Sequence, residues 1–119
     1  MRRRHILRAA GAAAALPGLA LLPGRAAAQV AGLTDTTIVL GQSAPFSGAA
    51  EQLGLQFHLG AQLFFEQLNA KGGVQGRRVE LRRLDDGYEP DKCAANTRQF
   101  IGDGVFALFG YIGTPTSVV

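Results

Sequence analysis

The sequence predicts an α/β fold, namely the βαβαβ half of a doubly wound parallel sheet. Three observations predict it. Short apolar runs alternate with longer stretches of helical periodicity, Gly and Pro residues separate them, and the third apolar run is continuous, as in a strand covered on both faces. Ligands of such sheets bind beyond the carboxyl ends of the strands, so the loops that follow the strands are the candidate sites.

The first strand is predicted at residues 37–41, and residues 42–48 are expected to be a turn-rich loop. Apolar side chains at helical intervals over residues 50–71 predict a long amphipathic helix, which a Gly pair then ends. Gly60 inside this helix costs about 1 kcal/mol relative to Ala, so we expect close packing there. The predicted apolar face consists of Leu55, Leu59, Ala61, Leu63, Phe64 and Leu68.

The second strand is predicted at residues 77–84, where polar and apolar side chains alternate for most of the run. Pro90 opens the next helix, as Pro does at a first helical position. Residues 105–110 form the continuous apolar run of the third strand, and a third helix is expected to begin at Ser117. The apolar face of the second helix consists of Cys93, Ala94, Thr97, Phe100 and Ile101.

Residues 1–28 are predicted to be a secretory signal peptide that is cleaved near Ala28. A basic start is followed by an apolar stretch at residues 9–22, which is shorter than the roughly 20 residues of a membrane-spanning helix. Residues 3–8 also have the twin-arginine spacing, so both the general secretory route and the twin-arginine route stay open. The mature domain is therefore expected at residues 29–119, in the periplasm.

The charge of the chain changes sign once the signal is removed. Five of the 12 basic residues precede Gln29 and no acidic residue does, which leaves seven basic against nine acidic residues, a net charge of −2. This balance argues against a nucleic-acid partner. The lone Cys93 is expected to be buried, and no His, Cys and Asp residues have metal-ligand spacing, so no metal and no cofactor are predicted.

The loop after the third strand is the first candidate site. It contains Thr114, Thr116 and Ser117 ahead of a predicted helix, and hydroxyls together with N–H groups at a helix N-terminus bind anions such as carboxylates. The alternative is that one of these hydroxyls only caps the helix.

The loops after the first two strands carry weaker candidates. Ser47 follows the first strand, where an ordinary turn is the simpler interpretation. Asp85 and Asp86 follow the second strand, and paired acids can catalyse or bind metal, although a strand-end cap is commoner. No phosphate-binding, dinucleotide-binding or nucleophile-elbow motif is present, so the sequence does not support an enzyme.

The residues 37–117 resemble leucine/isoleucine/valine-type periplasmic binding proteins, the type I substrate-binding components of ABC importers. The most specific part is an Asn-Ala-Lys-Gly-Gly-Val-x-Gly motif that precedes a strand ending in Asp-Asp. The spacing of the other matching positions supports it. The matching positions are Ser47, Gly48, Gly54, Gly60, Ala61, residues 69–77, Asp85, Asp86, Pro90, residues 103–105 and Gly110.

The resemblance implies a two-lobed protein whose cleft closes on a ligand, with this chain as the first part of lobe 1. It implies a non-enzymatic receptor that captures an amino acid or a similar small polar or carboxylate ligand in the periplasm and delivers it to an inner-membrane ABC permease. An amide- or amino-acid-sensing domain of the same fold is the alternative, and an enzyme is a remote one. Lacking a second lobe, this chain alone is expected to be marginally stable and to bind weakly.

The resemblance also assigns roles to individual residues. Thr114 falls where amino-acid-binding members hold the ligand carboxylate, Thr116 and Ser117 border it, and Ser47 lies nearby. Leu53 occupies the position of a pocket-lining aromatic residue in branched-chain members, so the side-chain pocket is expected to differ. Some members carry a disulfide between the positions that are Tyr88 and Gly113 here, so that link is absent.

Overall fold

The computed structural model describes residues 29–119, so the predicted signal peptide lies outside the described residues. The helices and strands, in chain order, are β1 (Thr37–Ala44), α1 (Glu51–Ala70), β2 (Arg78–Asp85), α2 (Pro90–Gly102), β3 (Ala107–Leu108) and α3 (Thr114–Ser117). Within residues 29–119, no helix is both long enough and apolar enough to cross a membrane.

The sheet has the strand order β2-β1-β3 and all its pairs are parallel, which confirms the predicted α/β class. β1 lies in the centre and pairs with β2 along its whole length, while β3 pairs with it at two positions. β1 is three residues longer than predicted, because pairing with β2 continues through Ala44 opposite Asp85. Gln42 and Ser43 are therefore buried strand residues, and the expected loop begins only after Ala44.

α1 ends where the Gly pair predicts. Gly73 has a φ of 70° and its N–H donates to Leu68 O at 2.9 Å, which satisfies a carbonyl of the last turn. The Asn69 side chain then joins the helix to β2, since its Nδ2 donates to Val79 O at 2.9 Å and its Oδ1 accepts from Val79 N at 2.8 Å. The C-terminus of α1 is thus fixed against the edge strand.

The apolar face of α1 is only partly the one predicted. Leu59, Leu63 and Phe64 are 49%, 52% and 62% exposed, whereas the buried positions are Gly54 and His58. Apolar residues cover more than one flank of the helix, and within the described residues only one flank packs on the sheet. The other flank and Phe109, which follows β3, border an open groove of about 400 Å³ that is lined largely by Phe57, Phe64, Phe65 and Phe109.

The two glycines of α1 have opposite environments. A Cβ at Gly54 would lie 1.8 Å from Pro45 O, so the helix can approach the end of β1 only without a side chain there. A Cβ at Gly60 would meet no described atom within 4 Å, so the expected close packing at Gly60 is wrong. The close approach that the helix needs lies at Gly54 instead.

α2 begins at Pro90 as predicted and buries Cys93 and Phe100. Phe100 packs across β1, because a Cβ at Gly41 would lie 2.7 Å from its ring. Ile101, which was predicted on the same face, is 68% exposed. It follows Phe100 directly, and a step of one residue turns a helical side chain by about a quarter of a turn, away from the sheet.

The third strand is shorter and less covered than predicted. β3 comprises two residues, and Phe106 and Leu108 are 46% and 43% exposed, because no described residue covers that flank of the sheet. The expected start of a third helix at Ser117 is wrong. α3 begins at Thr114 and ends at Ser117, since Pro115 suits its first turn and Ser117 N donates to Gly113 O at 3.0 Å.

The two glycines provide a matched pair of substitutions. We expect Gly54→Ala to lower the free energy of unfolding by about 1–3 kcal/mol, because the added methyl group overlaps a carbonyl that belongs to the backbone. Gly60→Ala adds the same group in open space and should raise that free energy by up to about 1 kcal/mol through helix propensity. Urea unfolding of both variants measures the difference, and equal effects would contradict the packing of α1 described here.

Candidate functional site

The carboxyl ends of all three strands lie at one edge of the sheet, where three loops meet. The loop at residues 45–50 follows β1, residues 86–89 follow β2, and residues 109–113 lead from β3 into α3. Side chains from neighbouring elements connect these loops to one another. This edge is where a doubly wound sheet places its ligands.

Asp85 joins the loop after β1 to the end of β2. Its carboxylate accepts hydrogen bonds from Phe46 N at 2.7 Å, from Gly87 N at 2.9 Å and from the Ser47 hydroxyl. Burial acts to raise the pKa of Asp85, but these three hydrogen bonds and the nearby Lys92 outweigh it, so the pKa is lowered. The Ser47 hydroxyl therefore donates to a structural carboxylate, although Ser47 itself remains exposed.

Asp86 is fully buried and organises the loop after β2. It accepts from the Ser43 hydroxyl at 2.8 Å and from Tyr88 N at 2.9 Å. The Asn96 amide on α2 donates to the Ser43 oxygen at 3.1 Å and to Asp85 O at 3.1 Å, which closes the network. The paired acids thus serve as acceptors that hold strand ends and loops, which is the commoner of the two roles considered for them.

Cys93 is buried beside this network, as predicted. Burial raises the pKa of its thiol, so the protonated, unreactive form is favoured. Among the described residues, no three His, Cys, Asp or Glu side chains are arranged to hold a metal ion.

The loop after β3 is held at both of its ends. Gly110 O accepts from Gln42 Nε2 at 3.1 Å, and the Tyr111 hydroxyl lies 2.8 Å from Thr97 Oγ1 on α2. Burial raises the pKa of Tyr111. At the far end, a Cβ at Gly113 would lie 2.6 Å from the Tyr88 ring, so this ring packs directly on the backbone before α3.

The contact between Tyr88 and Gly113 is informative because both residues have unusual backbones. Tyr88 has a φ of 69° and Gly113 a φ of 106°, and only Gly adopts the second without strain. The family resemblance implies that these two positions carry a disulfide in some members. Here an aromatic ring packed on a glycine takes the place of a covalent link between the loops.

The three hydroxyl residues predicted in this loop have different environments. Thr116 is 2% exposed, and its hydroxyl lies 2.7 Å from Ile112 O and 2.9 Å from Gly113 O, so it stabilises the loop itself. Thr114 and Ser117 are exposed, and no described residue forms a hydrogen bond with either side chain. Leu53, the remaining candidate, is 57% exposed in the first turn of α1.

Within the described residues, α3 consists of four residues, Thr114–Ser117. A macrodipole grows from many aligned peptide units, so one turn supplies little of it. Anion binding at this loop would depend on the exposed Thr114 and Ser117 hydroxyls and on nearby N–H groups.

Sequence reasoning placed Gln42 in the loop after β1 and His58 without a partner, and so missed that the two side chains pair. His58 Nδ1 lies 2.7 Å from Gln42 Oε1, and both side chains are buried between α1 and β1. Burial lowers the pKa of His58, and the nearby Arg83 lowers it further. The signal available in the sequence was a Gln inside a run of strand residues, where a buried polar side chain requires a partner.

Comparison with known proteins gives a consistent result. A sequence model of a family described as periplasmic binding protein matches residues 37–119. A "Leu/Ile/Val-binding protein homolog 3" from Brucella melitensis is 33% identical over 81 residues, which are 68% of this chain and 22% of that protein.

Solved structures with a similar fold are also substrate-binding proteins of transporters. A fatty acid ABC transporter substrate-binding protein from Thermomonospora curvata superimposes with a TM-score of 0.68 at 34% identity, over 74% of this chain and 22% of that one. A branched-chain amino acid transporter substrate binding protein from Streptococcus pneumoniae, in complex with isoleucine, superimposes with a TM-score of 0.65 at 28% identity. That match covers 69% of this chain and 24% of the other. The chain thus spans about a quarter of the length of the proteins that it matches.

His58 allows a test of the site by pH, because it is the only His in residues 29–119. A pKa that is lower in the folded than in the unfolded chain means that the unfolded chain binds more protons between the two values. Stability is then fully present above about pH 6.5 and falls as the pH decreases below it. NMR titration should place the His58 pKa below 6.5, and His58→Gln should remove the loss of stability between pH 7.5 and 5.5. A His58 pKa at or above 6.5 would show that the buried, neutral imidazole is wrong.

Proposed function

The chain belongs to the periplasmic binding protein family, and on that premise we propose that it is the first part of lobe 1 of an exported substrate-binding component of an ABC importer. The complete protein captures an amino acid or a similar small carboxylate in the periplasm and delivers it to the permease. This proposal treats the protein as a receptor and not as an enzyme. In support, the Asp85 and Asp86 carboxylates are engaged by structural hydrogen bonds.

The observation that carries the proposal is the loop after β3. It presents the exposed Thr114 and Ser117 at the carboxyl edge of the sheet, on a backbone that Gln42, Thr97 and Tyr88 hold in place. A hydroxyl that donates to a carboxylate makes a charge-assisted hydrogen bond, which is stronger than a neutral one. We assign Thr114 as the anchor of the ligand carboxylate and Ser117 as its neighbour.

The remaining candidates take supporting roles. Thr116 shapes the loop from within, because its hydroxyl interacts with the loop's own carbonyl groups. Ser47 fixes the neighbouring loop through Asp85. Leu53, exposed near the start of α1, is proposed to border the ligand side chain, where an aliphatic residue offers less contact area than an aromatic one.

Ligand specificity is left to the side chains around the anchor. The Streptococcus pneumoniae relative holds isoleucine and the Thermomonospora curvata relative is a fatty acid transporter component, so a carboxylate is common to the ligands of both relatives. A carboxylate anchor is compatible with both. Closure by a second lobe would add the contacts that bind the closed state more tightly.

A ligand screen on the complete polypeptide that carries these residues tests the proposal. After refolding to remove bound ligand, amino acids, amides and aromatic acids are screened by thermal shift. A ligand at a hundred times its dissociation constant stabilises the folded protein by about 2.7 kcal/mol. Thr114→Ala should weaken binding of the hit roughly tenfold to a hundredfold, the range expected for a lost hydrogen bond to a charged group.

Thr36→Ala is the matched control for this screen. Thr36 is also an exposed Thr and lies just before β1, at the opposite edge of the sheet. The Thr36→Ala variant should bind the hit as tightly as the unsubstituted protein does. If no carboxylate or amide raises the melting temperature, or if both substitutions weaken binding equally, Thr114 is not the anchor.

Residues 29–119 alone should bind the same ligand at least about a hundredfold more weakly than the complete polypeptide. The reason is that a single lobe offers an open edge, and small-molecule sites owe their affinity to burying most of the ligand surface. Isothermal titration calorimetry on both forms measures the ratio. Equal affinity in the two forms would overturn the need for a second lobe.

A further inference from the structure

The pair of buried side chains formed by Gln42 and His58 is not used by the proposed ligand contacts. Gln42 is fully buried in the central strand, and His58 on α1 is 9% exposed. Burying two polar side chains is costly unless they are hydrogen-bonded, and here they bond to each other with an Nδ1 to Oε1 distance of 2.7 Å. The pair spans the space between helix and sheet.

The donors and acceptors of this pair are fixed by its third member. Gln42 Nε2 donates to Gly110 O at 3.1 Å, which leaves Oε1 facing His58. Oε1 can only accept, so His58 Nδ1 must carry the proton. The sequence of hydrogen bonds therefore runs from His58 through Gln42 to the carbonyl of Gly110.

His58 is itself held in one orientation. Its ring meets Phe46 edge to face at 5.5 Å between centroids, and the Arg83 guanidinium lies 5.0 Å from the centre of the same Phe46 ring. Three charged groups lie near His58. Arg83 of β2 is one. Glu66 of α1 and Arg78 of β2 are the others, and both line a polar hollow that His58 also lines. Burial and the nearby Arg83 both lower the pKa of His58, which favours a neutral imidazole.

The hydrogen bonds from His58 through Gln42 to Gly110 O form a relay, which reaches the loop after β3, the proposed ligand loop, at Gly110. Its φ is +66°, and a Cβ there would lie 2.6 Å from the Phe57 ring and 3.0 Å from Gln42 Nε2. A side chain at this position would be strained, and the Gly110 carbonyl helps to hold the start of the loop, together with Phe109 N, which donates to Gly41 O at 2.8 Å. Thr114 follows four residues later.

The geometry points to His58 and Gln42 as positioning residues for the ligand loop. They set the position of Gly110, and through it the placement of Thr114, without contacting the ligand. The effect on ligand affinity rests on the proposed function, whereas the effect on the loop itself does not.

Peptide-resolved hydrogen exchange on the complete polypeptide tests this inference. His58→Leu removes the donor and should raise exchange about tenfold in the segment 106–117, the factor that corresponds to one lost hydrogen bond. The segment 93–102 of α2 should be unchanged. His58→Gln places an amide donor within reach of Gln42 Oε1 and should restore protection. Dissociation constants for a ligand found in the screen should follow the same order.

Gln62→Leu is the matched control, because Gln62 is a polar side chain one turn along the same helix that lines the same hollow without contacting Gln42. It should leave exchange unchanged. The inference is overturned if His58→Leu leaves segment 106–117 unaltered, raises exchange equally in α2, or is not rescued by His58→Gln. An intact loop with no ligand found would instead count against the proposed function.

A measurement on the unsubstituted protein decides the matter even if His58→Leu fails to fold. The nitrogen chemical shifts of the His58 imidazole distinguish its two neutral tautomers. The relay requires the proton on Nδ1, so a proton on Nε2 alone would contradict it.

Discussion

The carboxyl end of β1 is buried and yet carries polar side chains, and their need for partners determines how the loops are arranged around it. Buried polar groups must be hydrogen-bonded, because an unpaired one costs about 1–3 kcal/mol. Gln42 forms hydrogen bonds with His58 and Gly110, and Ser43 forms them with Asp86 and Asn96. The loops after β2 and β3 are therefore positioned by the central strand of the sheet.

This arrangement explains why the candidate site has a defined shape although it is built from loops. The Tyr88 ring on Gly113 and the hydrogen bond between Thr97 and Tyr111 add two further links across the edge. Neither link uses the Thr114 hydroxyl. The exposed hydroxyl is thereby presented on a backbone that is already ordered, and a pre-ordered site loses less entropy when it binds.

The sequence predicts the elements of this fold because the patterns involved are local. A Gly pair ends α1, Pro90 begins α2, and alternation marks β2, all without reference to the rest of the chain. The burial of Gln42 could not be predicted in the same way, because it depends on pairing of β1 with β2 some 40 positions later. The exposure of Phe64 was likewise missed, since an apolar stripe shows which residues can be buried but not which flank finds a neighbour. Thr114 and Ser117 were predicted from residue type, position and the family resemblance, and their role stays a prediction, whereas the relay that supports their loop is visible only in three dimensions.

The most direct test of the account is a crystal structure of the complete polypeptide with its ligand bound. We predict that Thr114 Oγ1 lies within hydrogen-bonding distance of the ligand carboxylate, about 2.5–3.0 Å. Gln42 would remain bonded to Gly110 O, as it is here. A carboxylate bound elsewhere, with the Thr114 hydroxyl turned away from it, would contradict the account.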